Sequence, residues 1–136
     1  MPGPASGTPS SLPKTDFTYD ASHGGLLTAT KPAPGSGPYA AIRPQTRNTY
    51  AAVGGVTRLA SVKSCRTTAT CAGTADETVV ETTYNTKRLP SLVVTRAGNN
   101  TTAFTATNAR VAMTYSPQGD VESVDGPLSG AVDTGW

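Results

Sequence analysis

The dipeptide Thr-Tyr occurs at Thr18-Tyr19, Thr49-Tyr50, Thr83-Tyr84 and Thr114-Tyr115, and takes four of the five tyrosines of a 136-residue chain. The four tyrosines lie 31, 34 and 31 residues apart. Self-similarity at a nearly fixed period is the mark of a repeat array. Such a unit cannot bury its apolar face alone, so it must fold against its neighbours.

Each unit reads as a β-hairpin with Tyr near the end of its first arm. In the last unit Val111, Met113 and Tyr115 share one face while Arg110, Ala112 and Thr114 share the other. That period of two means strand. The same pattern predicts strands over Asp16–Asp20, Leu26–Lys31, Arg47–Val53, Val56–Lys63, Thr78–Tyr84, Leu89–Arg96 and Thr101–Thr107. Turns follow at Ala21–Gly25, at Gly54-Gly55, at Asn85 to Arg88, at Ala97 to Asn100 and around Gly119, and glycine is missing only from the third unit's turn. Pro32–Pro38 carries too many prolines to lie inside a sheet. A tyrosine suits the seam between hairpins because its ring fills the gap while its hydroxyl reaches the wet turn.

Composition agrees with many short strands. Threonine is the commonest residue, with 23 copies, and its β-branch suits a pleated, half-solvated surface. Gly and Pro together number 25 and supply turns at close intervals. Leu, Ile, Val and Phe number only 21, a small endowment for a self-contained core. The net charge of +2, with eleven Lys and Arg scattered singly, argues against nucleic acid and anionic membranes as partners. No run of 18 apolar residues is present, so no membrane span is expected. Residues 1–14 are rich in Pro, Gly and Ser, read as an unstructured lead-in, and hold no apolar signal-peptide core.

Thr18-Tyr19-Asp20 followed by Gly24 or Gly25 and Leu26, and Thr114-Tyr115-Ser116-Pro117-Gln118-Gly119-Asp120-Val121, resemble the YD or RHS repeat. Its pattern is Tyr-Asp-x-x-Gly, an apolar residue, and a later Gly that here looks like Gly126. The segment CRTTATCAGTADE and the closing VDGPLSGAVDT are similar to the repeat region of RHS proteins of Gram-negative bacteria. The resemblance covers residues 15–134. Its copies are degenerate: only the first keeps Tyr-Asp, and the others have Tyr50-Ala51, Tyr84-Asn85 and Tyr115-Ser116.

The resemblance implies an all-β fold of consecutive antiparallel hairpins in a curved ribbon, with little or no helix. It makes Tyr19, Asp20, Gly24, Tyr50, Gly54, Tyr84, Tyr115, Gly119 and Gly126 structural motif residues. It also implies a secreted or cell-surface setting. In such proteins the ribbon forms a shell around a toxin or part of an adhesion receptor. The self-cleaving Asp-Pro-x-Gly-Leu motif of that family is absent from this sequence. The chain therefore reads as a non-catalytic piece of shell wall. Its expected partners are neighbouring repeats or a longer parent chain, with an enclosed toxin domain or cell-surface glycans beyond them. A stand-alone β-repeat module binding glycans or surface proteins is the competing expectation.

No catalytic constellation stands out. His23 is the only histidine, and it lies in a turn where a Ser-His-acid triad would have to be built around it. No G-x-S-x-G motif occurs. Asp120, Glu122 and Asp125 are the densest acids, with Asp120 and Glu122 expected on one strand face. A carboxylate pair is suited to glycoside hydrolysis or calcium, but this spacing does not fit an EF-hand loop, and solvated acids are the ordinary reading. Asn99 and Asn100 head N-x-T sequons and equally suit a turn. Cys65 and Cys71 fit either a disulfide closing a small loop within 64–77 or two free thiols. A metal would need ligands beyond His23, so neither a metal nor a cofactor is expected.

Overall fold

The computed structural model describes residues 13–38, 40–65, 71–100 and 109–126. They form eight antiparallel strands: β1 (Asp16–Tyr19), β2 (Leu26–Thr30), β3 (Gln45–Val53), β4 (Val56–Cys65), β5 (Glu77–Tyr84), β6 (Pro90–Ala97), β7 (Ala109–Tyr115) and β8 (Val121–Asp125). The strands make one sheet in chain order, β1 to β8, each paired with the next. The fold is all-β, and no helix occurs among the described residues. The strand expected at Thr101–Thr107 lies outside the described residues, as do residues 1–12 and most of the closing VDGPLSGAVDT.

Four hairpins, β1–β2, β3–β4, β5–β6 and β7–β8, repeat one irregularity at one place. The register slips by one residue between Thr18 and Tyr19, Thr49 and Tyr50, Thr83 and Tyr84, and Thr114 and Tyr115. Leu27, Ala60, Ser91 and Glu122 are the extra residues, one in each return strand. A bulge bends its strand and raises the local twist. Four bulges in phase repeat that bend at every Thr-Tyr step.

Three hairpin turns share a second device. The residue after Tyr caps its own turn: Asp20 Oδ1 accepts from the backbone N–H of Ser22 and His23, Asn85 Oδ1 from Lys87 and Leu89, and Ser116 Oγ from Gln118 and Asp120. Short polar side chains are favoured at turn starts for this reason. The degeneracy of the Tyr-Asp motif is therefore chemical tolerance, since Asp, Asn and Ser all carry the acceptor. The second unit has Ala51 there and turns differently. Its arms run on to the Val53–Val56 pair, closed by Gly54 and Gly55 at φ 54° and 77°. That is the positive-φ pair a two-residue hairpin demands. In the third unit, which lacks glycine, Arg88 takes φ 67°. Its guanidinium then donates to the Gly54 carbonyl at 2.9 Å, linking two turns.

The sheet is a single layer, and its two faces divide unexpectedly. Alternation puts Val62, Val80, Val93, Val111, Met113 and Val124 on one face, where they are only half-buried. Val79 and Val94 are buried, yet they lie on the opposite, polar face. Val79 pairs with Lys63 on one side and Arg96 on the other, and Val94 pairs with Glu81 and Arg110. Long charged side chains lay their stems over apolar neighbours in this way. The polar face also carries the cross-strand ion pairs Arg47–Glu77, Arg96–Glu81 and Arg110–Asp125.

The excursion expected over 64–77 is shorter than its sequence suggests. Ser64 and Cys65 continue the ladder of β4, and Glu77 opens β5. The acidic group is also corrected: Asp120 sits in the turn, where Ser116 N–H donates to its carbonyl, and only Glu122 and Asp125 are in β8.

Candidate functional site

The feature that sets this sheet apart is a seam of tyrosines between hairpins. Tyr50 Oη donates to the Leu26 carbonyl at 3.0 Å, Tyr84 Oη to the Leu59 carbonyl at 2.8 Å, and Tyr115 Oη to the Pro90 carbonyl at 2.6 Å. The three acceptors are equivalent. Leu26 is the residue paired with Tyr19, Leu59 with Tyr50, and Pro90 with Tyr84. Each tyrosine thus reaches across the hairpin boundary to the residue facing the tyrosine before it.

Threonine's place in the dipeptide has its own cause. Thr18, Thr49 and Thr114 each share a 2.7 Å hydroxyl contact with the opposite strand, on Thr28, Ser61 and Ser123. Thr83 faces Leu92 and lacks this contact. Hydroxyl pairs of this kind contribute a few tenths to about 1 kcal/mol each across a sheet.

His23 belongs to the first turn of this seam. Its Nδ1 accepts from Gly25 N–H at 3.1 Å, and its ring meets the Tyr50 ring edge-on at a centroid distance of 4.6 Å. A Cβ added to Gly25 would come within 2.7 Å of both rings. Gly24, at φ 68°, makes the turn, as does Gly119 at φ 102°. Gly126 directly follows β8, is not among the positive-φ glycines, and has room for a Cβ, so the described residues place no demand for glycine there.

The hydrogen bond from the Ser22 hydroxyl, followed by that from the Ser22 backbone N–H, holds the Asp20 carboxyl below its ordinary 3.8. Asp16 is held down chiefly by its hydrogen bond from Arg43, at 2.7 Å. A carboxylate with a depressed folded-state value stabilises the fold above its unfolded value and loses that contribution as pH falls through the folded one. Stability is therefore expected to fall as pH drops below about 3.8, and Asp20→Asn to flatten that slope. Denaturant midpoints at pH 5 and pH 2.5, wild type against variant, measure it.

Sequence inspection missed the second cluster. Glu77 is buried, with Arg47 Nη2 at 2.6 Å from Oε1 and Gly73 N–H donating to Oε2 at 2.8 Å. Gly98 closes over it: a Cβ there would lie 2.7 Å from Glu77 Cβ and 2.9 Å from the Thr74 carbonyl. Cys65 and Cys71 form a disulfide beside this pair, with Cα atoms 5.7 Å apart, and Arg47 Nη2 lies 3.6 Å from Cys65 Sγ. Both sulfurs belong to buried residues, which suits a fixed clamp. Reducing it is expected to cost about 2 kcal/mol, the loop-closure value for so short a loop. Thermal unfolding with and without a phosphine reductant measures this, and an unchanged midpoint would contradict it.

An open groove of about 430 Å³ lies beside this cluster, lined by Lys31, Gln45, Thr46, Ser64 and Asp76 among others. No histidine is among the described residues that line it. Among the described residues no group of three His, Cys, Asp or Glu is placed to hold a metal, and no helix is long and apolar enough to cross a membrane. Comparisons of the chain with protein-family models, with curated proteins and with solved structures found no match.

Proposed function

We propose that this chain is a non-catalytic structural segment of an RHS/YD-repeat-like shell or cell-surface repeat protein, of the kind that encloses or presents a toxin in bacterial competition. One observation carries the reading: the tyrosine rung recurs on equivalent carbonyls at every hairpin boundary. A device that makes each unit the template of the next belongs to an array. The reading frame on both sides of this segment tests it. Further Thr-Tyr hairpins at a 31–34-residue period support the array. A lone four-hairpin frame carrying its own export signal would overturn it.

The stand-alone binding module keeps one specific support. Phe17 and Tyr19 share a face of β1 by alternation and are 53% and 60% exposed. Adjacent exposed rings suit a sugar face. A glycan array decides this: binding lost in Phe17→Ala and Tyr19→Ala favours the module, and an empty array favours the structural segment.

A further inference from the structure

We propose that a second copy of this chain docks its β1 along the outer edge of β8, head to tail, with Tyr19 Oη donating to the Val121 carbonyl. The three internal boundaries supply the rule. At each one, the residue opposite the previous Thr pairs with the residue three before the next Tyr: Thr28 with Arg47, Ser61 with Glu81, and Leu92 with Ala112. The tyrosine then donates to the residue opposite the previous tyrosine. Among the described residues β8 has no strand on its outer edge, and neither has β1.

The equivalent positions on β8 are Ser123, opposite Thr114, and Val121, opposite Tyr115. Val121 is 48% exposed, and among the described residues Tyr19 is the one Thr-Tyr tyrosine with no hairpin before it. Applying the rule places Asp16 of the second copy opposite Ser123, Thr15 opposite Val124, and Lys14 opposite Asp125. The last pair is complementary in charge. Odd strands run one way and even strands the other, so β1 laid beside β8 is antiparallel, as at every other boundary. A contact joining two different edges is head to tail, so copies add one after another, as an open filament or, where the rotation per copy closes, as a ring. The inference rests on the equivalence of the four units; in a longer parent chain flanking repeats would take the same two edges by the same rule, so the reading frame and the association of this chain test separate claims.

Sedimentation velocity on the full chain over a concentration series tests it. Mass is expected to rise through successive multiples of the monomer. Tyr19→Phe, which removes one exposed hydroxyl from the first strand, is expected to weaken association about 2- to 10-fold. Lys14→Glu is expected to weaken it by a similar factor, more at low salt. Mixed preparations of Thr15→Cys and Val124→Cys chains are expected to give a disulfide-linked heterodimer on mild oxidation. A monomer at every concentration overturns the proposal, including one whose own residues 127–136 cover β8. So does association that ignores both variants, or cross-linking dominated by Thr15→Cys or Val124→Cys homodimers.

Discussion

Glu77→Ala is expected to lower the unfolding free energy by about 2–4 kcal/mol. Removing one partner of a buried ion pair typically costs 3–5 kcal/mol, because the other charge is left without compensation. Here the Arg47 side chain is 26% exposed, so water can reach it and the loss is somewhat smaller. The Gly73 N–H loses its acceptor as well. Glu77→Gln keeps the side-chain carbonyl for Gly73 but sets its NH2 against the Arg47 guanidinium, so it loses the charge and the Arg47 hydrogen bond while still filling the site, and it should fall between wild type and alanine. Urea unfolding followed by circular dichroism measures all three. A loss below about 1 kcal/mol for alanine would mean that solvent already screens the pair.

Tyr50→Ala should be nearly as damaging, at about 2–3 kcal/mol. A fully buried aromatic truncated to alanine costs 3–5 kcal/mol, and the Tyr50 ring is only half-buried. The variant removes a rung to Leu26 and a ring contact with His23 together. Tyr50→Phe isolates the rung and should cost about 1 kcal/mol. In a linear array each unit contacts only its neighbours, so the damage should be local. Hydrogen exchange should quicken in β2 and β3 and leave β6 and β7 unchanged. Uniform acceleration across the sheet would show that the eight strands open as one unit.

Much of the fold was legible in the sequence because strands advertise themselves by alternation. The Thr-Tyr period located the four hairpins, and the structure adds that the period marks a bulge at each step. The rung itself was half-legible. Its donor is a side chain, while its acceptor is main chain and leaves no mark in composition. Glu77 was invisible for another reason: a glutamate in a polar stretch reads as solvated, and its partner Arg47 is 30 residues away. Pattern reading also assigns apolar residues to the covered side. Here Val79 and Val94 are buried on the face where their cross-strand partners are charged, which no periodicity shows.

The main-chain acceptor has a consequence for how such arrays change over generations. Leu26, Leu59 and Pro90 serve the rung equally, because each presents only a carbonyl. A substitution at the acceptor position therefore needs no matching substitution at the tyrosine. The two sides of each boundary are free to drift separately, and aligned copies should show no covariation across it. Units can also be duplicated, deleted or exchanged by recombination without creating mismatched boundaries, provided each incoming hairpin brings its tyrosine. The joint is a universal coupling, and the length of the array is then set by genetic events and not by side-chain compatibility.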